Sequence, residues 1–344
     1  MRFSRRLIGV VGGGVVIGAA TYRATRRAAS AVDGHVAVAH RCGGPVIDDG
    51  RDLSIVVNPS AGSEDNDDTV AMLRREFPAA RLLVVGDGLT LDHALSESLT
   101  TSVLGIVGGD GSINAAAEVA LDSGRPLAVV PGGTLNHFAR DVGLADGSDV
   151  VEALRSGDVV AVDVGVIGGR PFLNTASFGS YADFVDAREA LEGRLGKRVA
   201  AVVAAAQVLW QADPIGVELD GAHRRIWMIF VGNCEYEPPG FAPIHRPRLD
   251  DGTFDVRYID GTERWSRARF LGALLTGRLE SSPVFHRSLV RSIDVHSSNG
   301  PLRLARDGET FDGEADVTVE KHSARLGVYV PCGPEPTVSP RPPA

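Results

Sequence analysis

VLGIVGGDGSINAAAEVAL, residues 103–121, runs from an apolar pentapeptide through three glycines and one aspartate into an alanine-rich segment. Val103–Val107 reads as a buried strand. Ser112–Leu121 is rich in helix formers and is closed by Gly124 and Pro126. A strand, a glycine loop and a helix in succession make an anion site, because glycine lets a ligand approach the backbone and the first helical amides point at negative charge. A tight turn that needs positive φ is the plainer reading of Gly108, Gly109 and Gly111. Asp110 favours the anion site, since a carboxylate beside phosphates has a magnesium ion or a substrate hydroxyl to engage.

The same grammar continues on both sides. LSIVVNPSAG (53–62) is a buried strand running into a turn, and Thr69–Phe77 has helical spacing stopped by Pro78. RLLVVG (81–86) is a strand and Leu91–Leu99 a helix. In RPLAVVPGGTLNHFARDVGL (125–144), Leu127–Val130 is a strand, Pro131–Thr134 a second glycine turn, and Leu135–Val142 a helix stopped by Gly143. Strands alternating with helices predict a parallel α/β sheet with both glycine turns at its carboxyl end, where ligands of such sheets bind. Beyond about residue 160 hairpin signals take over, at VVAVDVGVIGGRPFLNTASFG, IGVELDGAHRRIWMIFVGN, GTFDVRYID, SLVRSIDVHSS, PLRLARDGETFDGE and ADVTVEKHSARLGVYVP. A helical, basic stretch at 185–212 interrupts them. The chain therefore divides into an N-terminal segment and linker (1–50), an α/β domain (51–160), a β-rich sandwich domain (161–331) and a Pro-rich tail (332–344).

A length of 344 residues suits two domains, and 44% hydrophobic content with mean hydropathy near zero suits a folded body rather than a polytopic membrane protein. A net charge of −9 argues against non-specific nucleic-acid binding, where a basic face would be expected, so no nucleic acid is expected as a partner. Cys42, Cys234 and Cys332 form neither a disulfide framework nor a metal spacing, as in a reducing, cytoplasmic compartment. Leu7–Tyr22 is apolar, carries arginines on both flanks and has a GxxxG pair at Gly14 and Gly18. Its 16 residues fall short of the roughly 20 that cross a bilayer. It reads as a short anchor or interfacial helix, with a frayed tail or a signal peptide as the alternatives.

Four stretches, VVNPSAG, GGDGSINAAAE, PGGTLNHFAR and a late RDGE, in this order and spacing resemble the diacylglycerol kinase catalytic-domain family. The similarity is to its bacterial soluble lipid kinases, spans residues 53–331 and extends more distantly to NAD kinases. The resemblance implies an ATP-dependent kinase that uses Mg2+ to phosphorylate a hydroxyl of diacylglycerol or a related lipid, at an anionic membrane surface. It implies that Asn58 and Gly62 border the nucleotide and that Gly108, Gly109, Gly111 and Ser112 form the phosphate turn. Asp110 would lie between magnesium and the acceptor hydroxyl. Gly132, Gly133, Thr134 and Asn136 would form the second phosphate-side turn, and Thr90 would lie near the adenine or ribose. Glu118 takes a structural place on its helix face, and Asn174, Ser177 and Gly179 an interdomain one.

In the family an Asp-Gly-Glu triplet supplies the acid–base carboxylates about two strands before the closing VP, which matches Asp307 and Glu309. Asp312 and Glu314 then fall in the following turn. By themselves, the two triplets also read as Asp-Gly hairpin turns. PRLDDGTFDV (247–256) resembles the family's structural metal loop, with Asp251 giving a side-chain oxygen and Arg248 and Thr253 their carbonyls. A plain turn is the competing reading there. The chain departs from the family at His137, where an aspartate is commoner, and at Ser112, where threonine is. Two other functions stay open: a kinase of a soluble acceptor, as in NAD kinases, and a nucleotide-binding regulator without catalysis.

Overall fold

Leu53–Val57, Val103–Gly108 and Leu127–Val130 are buried along their whole lengths, as strands covered on both faces must be. A short β1 (His40–Arg41) precedes them. β2 (Leu53–Val57), β3 (Arg81–Val84), β4 (Val103–Gly108) and β5 (Leu127–Pro131) lie parallel in the order β3–β2–β4–β5, with β3 on the edge and largely exposed. Between them run α1 (Asn66–Glu76), α2 (Leu91–Ser98) and α3 (Asp110–Ser123). Thr90 caps α2 by accepting from the His93 amide, and Gly124 ends α3 in the left-handed region. After β5 come the five-residue α4 (His137–Asp141) and α5 (Gly147–Ser156), whose start is a capping box of Asp146 and Asp149. Helix α5 is an addition to the elements expected from the sequence. The structure, a computed structural model, describes residues 37–59, 66–86, 88–133, 136–179, 214–219, 221–238, 240 and 245–332. Gly62, Thr134, the apolar segment 7–22, the helical stretch 185–212 and the tail from 333 lie outside the described residues.

The second half is β-rich. β6 (Val159–Ile167) turns through Gly168 and Gly169 into β7 (Arg170–Phe172), followed by β8 (Thr175–Gly179), β9 (Ile215–Leu219) and β10 (Ala222–Asn233). β11 (Phe254–Asp260), α6 (Ser266–Thr276), β12 (Phe285–Val290), β13 (Ser292–Ser297), β14 (Arg303–Arg306), β15 (Glu309–Asp312) and β16 (Asp316–Tyr329) complete it. Helix α6, likewise not expected from the sequence, buries Phe270 and Ala273 in a cluster with Trp227 and Phe230.

Three hairpin expectations fail. GTFDVRYID holds the single strand β11, which pairs with β10 and β12. SLVRSIDVHSS contributes to β12 and β13, which do not pair with each other: β12 joins β11, and β13 joins β16 and β9. ADVTVEKHSARLGVYVP is a single strand, β16. The polar EKHSAR stretch that imitates a turn is an irregularity between His322 and Leu326, where the Ala324 amide leaves the ladder and donates to Asp163 at 2.7 Å. Because β16 does not turn back, it reaches from β13 to β5, pairing with β6 on the way and meeting β5 in parallel at Val328 and Leu127. Its Val317 and Val319 belong to the core of the β-rich half, and Leu326 and Val328 to the core of the α/β half.

Candidate active site

The glycines at the carboxyl ends of β4 and β5 have a common reason. None of Gly108, Gly109, Gly111, Gly132 and Gly133 takes positive φ, so the tight-turn reading does not hold. Instead the two turns touch. Gly132 donates to the Gly108 carbonyl at 3.0 Å, and a Cβ at Gly133 would lie 2.6 Å from Gly109 Cα. A Cβ at Gly111 would lie 2.8 Å from Glu309 Oε1. Glycine here admits a neighbouring turn and a carboxylate that arrives from the far end of the chain.

The Asn136 backbone is left-handed, and its side chain closes its own turn by accepting from Gly133 N at 2.8 Å and donating to Gly133 O at 2.7 Å. Asn66, buried behind the turns, donates to the Gly132 carbonyl. Asn58, just after β2, donates to Ser112 Oγ at 2.8 Å. The amides of Asp110, Gly111 and Ser112 have no acceptor among the described residues, and Ile113 is the first whose amide closes the helix, onto Gly109. The Asp110 carboxylate receives long bonds of 3.4 and 3.5 Å from the His137 and Phe138 amides, at the start of α4. His137 acts there through its backbone, with its side chain exposed.

A cleft of about 480 Å³ opens over these groups. Asn58, Gly109, Asp110, Gly111, Ser112, Glu118, Arg170, Arg306 and Glu309 are among the residues that line it. Most of this set is expected from the sequence. Glu118, expected only as a structural residue of its helix face, also lines the cleft. Arg170 and Arg306 were not expected, and the one local signal for them is the basic residue directly before Asp-Gly-Glu. Thr90 is spent on its cap, while its neighbours Leu91 and Asp92 reach the rim.

RDGE is a two-residue hairpin. Arg306 and Glu309 are paired across β14 and β15, and Asp307 and Gly308, with φ of 43° and 87°, make the turn. Cross-strand partners share a face, so both side chains look into the cleft. Asp307 looks elsewhere. Its carboxylate accepts from the amides of Leu173 (2.7 Å), Asn174 (2.8 Å) and Thr175 (2.9 Å). Burial raises its pKa, against the pull of those three amides and of Arg246. The acid–base pair expected from the sequence therefore divides into one carboxylate in the cleft and one tied to a loop. Glu314 of the second triplet is exposed and outside the cleft.

Arg246 had no signal in the sequence. Fully buried, it pairs with Asp141 at 2.5 Å, donates to the Leu173 carbonyl at 2.6 Å and to Asn174 Oδ1 at 2.9 Å, and stacks over Tyr236.

In the loop expected to hold a metal, protein donors meet two of the expected ligand groups. Asp251 accepts from Thr253 N (2.8 Å), Thr253 Oγ1 (2.9 Å) and Glu235 N (2.8 Å), and the Thr253 carbonyl accepts from Cys234 N. Arg248 turns its side chain to Asp250. Beside the loop, Asp163 and Cys234 come within 4.8 Å of Asp251 through one ligand atom each. Burial pushes the Cys234 thiol up to about 12, so it stays a neutral thiol. The Lys321 ammonium lies 3.6 Å from Asp163 Oδ2 and 3.5 Å from Cys234 Sγ, with its side chain 2% exposed, and supplies the positive charge there. Of the expected ligand set Arg248, Asp251 and Thr253, the Asp251 carboxylate and the Thr253 carbonyl therefore already serve protein donors.

Residues 52–167 match the family model of the diacylglycerol kinase catalytic domain, and residues 179–330 that of the YegS C-terminal NAD kinase β-sandwich-like domain. A protein of Pseudomonas syringae pv. syringae named "Probable lipid kinase YegS-like" is 29% identical over 300 residues, 82% of this chain and 93% of its own. A diacylglycerol kinase of Staphylococcus saprophyticus is 26% identical over 292 residues, 80% of this chain and 94% of its own. A crystal structure of a diacylglycerol kinase from Bacillus anthracis str. Sterne shares the fold, with a TM-score of 0.56 and 19% identity over 81% of this chain and 97% of that one. Among the described residues no helix is long and apolar enough to cross a membrane.

Proposed function

Because the chain belongs to the family of the diacylglycerol kinase catalytic domain, with the YegS-type C-terminal domain behind it, we propose that it transfers the γ-phosphate of ATP to a hydroxyl of diacylglycerol or a related lipid. One observation carries the reading: Glu309 lies against Gly111 in the same cleft as the Asp110–Ser112 amides, which are free among the described residues. Free amides at a helix start, a serine hydroxyl and carboxylates are the donor set that a magnesium-bound triphosphate requires. Asp110, beside the free amides, is the carboxylate that would hold Mg2+, which when bound neutralises charge on the phosphates.

Glu309 takes the proton of the lipid hydroxyl as its oxygen bonds to the γ-phosphorus, and the bond from that phosphorus to the bridging oxygen breaks to release ADP. The amides of Asp110, Gly111 and Ser112 hold the phosphate oxygens while this happens, without reorganising. Asp110, steadied by the α4 amides, orients the acceptor side. The Arg-flanked apolar segment at 7–22 supports work at an anionic membrane surface.

The test is transfer of labelled phosphate from ATP to lipids in mixed micelles, by wild type, Glu309→Gln and Glu314→Gln. Transfer to a diacylglycerol-like lipid that is lost only in Glu309→Gln is expected. Transfer to a soluble acceptor alone would refute the lipid assignment, and ATP binding without any transfer would leave a regulator.

A further inference from the structure

Among the described residues, two arginines in the cleft have no counter-charge in contact. Among the described residues neither Arg170 nor Arg306 makes an ion pair or a side-chain hydrogen bond; Arg306 only packs its guanidinium 5.2 Å from the Phe311 ring centroid. Arg306 Nε is buried without an acceptor. Asn114 Oδ1 is buried without a donor, its Nδ2 being spent on the Pro171 carbonyl. These are the two buried side-chain atoms without a partner among the described residues, and both belong to residues lining this cleft. Burial and the neighbouring Arg170 both disfavour the charge on Arg306, which Glu118 and Glu309 only partly offset. An orphaned buried donor and two adjacent cations are costly when left as they stand, and an anion with several acceptor oxygens removes both costs. Guanidinium forks match phosphate in shape as well as charge.

We propose that Arg170 and Arg306 form a phosphate subsite beside Glu309 in the cleft, which receives a terminal phosphate group. The inference rests on the lipid-kinase reading for its two candidate sources: the last phosphate of the nucleotide, or the phosphate monoester of the phosphorylated lipid. The register of β14 and β15 places this subsite beside the proton acceptor, because Arg306 is the cross-strand partner of Glu309. Asn114 Oδ1 gives a protonated phosphate oxygen or a water its acceptor.

Equilibrium binding to the full chain tests the subsite, with ATP, ADP, phosphatidylcholine vesicles containing phosphatidate and the same vesicles containing diacylglycerol. Arg306→Gln and Arg170→Gln are compared with Arg303→Gln, an exposed arginine of the same strand outside the cleft. A loss of about 10- to 100-fold, the value of one charge-assisted hydrogen bond, is expected in the first two and not in the third. A loss confined to ATP, with ADP unchanged, assigns the nucleotide's terminal phosphate. A loss confined to phosphatidate vesicles assigns the lipid phosphate. Unchanged binding of both, an equal loss in Arg303→Gln, or a wild type that binds neither overturns the subsite. Arg306→Lys, which keeps the charge without the fork, replaces Arg306→Gln if that variant does not fold: weaker binding supports the subsite and wild-type binding overturns it. Arginine-dependent ATP binding without transfer to any lipid would retain the subsite and refute the lipid-kinase reading.

Discussion

Glu309→Gln and Asp307→Asn, each the loss of one carboxylate from the same hairpin, have opposite expected consequences. Glu309 is exposed, with no side-chain partner among the described residues, so Gln in its place changes stability by no more than about 0.5 kcal/mol. The proton acceptor is gone, and transfer falls by about 10²- to 10⁴-fold, roughly 3–5 kcal/mol on the barrier. Asp307 is the reverse case. An Asn carbonyl keeps the two bonds to the Asn174 and Thr175 amides, but its NH2 meets the Leu173 amide donor to donor. One enclosed N–H is orphaned, at about 1–3 kcal/mol. Asn tolerates the left-handed backbone of this position, so no strain is added. Thermal unfolding reads the stability, at roughly 1–2 °C per kcal/mol for a chain of 344 residues, and single-turnover transfer reads the chemistry. Wild-type transfer by Glu309→Gln, or a wild-type Tm for Asp307→Asn, would refute the division of labour.

Asp307 also has a pH signature. Its folded pKa is raised, so its contribution to stability is full below the unfolded carboxylate value of about 3.9 and declines as pH rises through the folded value. Denaturant unfolding should therefore show wild type exceeding Asp307→Asn by more near pH 4 than at pH 7; a gap that widens with pH contradicts the sign. Arg246→Met should cost about 3–5 kcal/mol by chemical denaturation, because Asp141 is left unpaired beside a buried hub, and an unchanged midpoint would remove Arg246 from the scaffold. EDTA should abolish transfer and leave Tm unchanged, whereas Lys321→Met lowers Tm by leaving Asp163, 1% exposed, without its ammonium. A fall in Tm with EDTA would restore a structural cation to the Asp251 loop.

Local periodicity made the α/β half legible. Leu53–Val57, Val103–Gly108 and Leu127–Pro131 are short apolar runs closed by turn residues, and strands buried on both faces need little else. The strand–glycine–helix order is enough to put Asp110 and Ser112 at the cleft. The misreadings have one physical source, long-range contact. EKHSAR has the polarity of a turn and became part of a strand because Asp163, far away in sequence, accepts the Ala324 amide. Nothing adjacent to Asp307 distinguishes it from Glu309; a place in the turn sends one carboxylate to the Leu173–Thr175 amides, and a place on the strand sends the other to Gly111. Arg246 and Lys321 lie in unremarkable stretches, and only the fold collects their partners around them.

Those buried partners explain how carboxylates from distant parts of the chain reach one cleft in a fixed relation. The Asp110 carboxylate receives the first amides of α4, and the last residue of α4, Asp141, pairs with Arg246. Arg246 holds the Leu173 carbonyl and the Asn174 side chain. The amides of those same two residues hold Asp307, two residues before Glu309. The Leu173–Asn174 segment is thus gripped from both sides, by a cation on its oxygens and an anion on its nitrogens. A buried ion pair contributes little net stability over an apolar replacement, because desolvation offsets its attraction. Geometry is the better account of its presence, since a displacement of about 1 Å between reacting groups costs on the order of 10²-fold in rate. An apolar filling would hold the Leu173 loop loosely; the Arg246–Asp141 pair and the Asp307 carboxylate give it directional bonds on both faces, and Glu309 inherits that fixed position against Gly111.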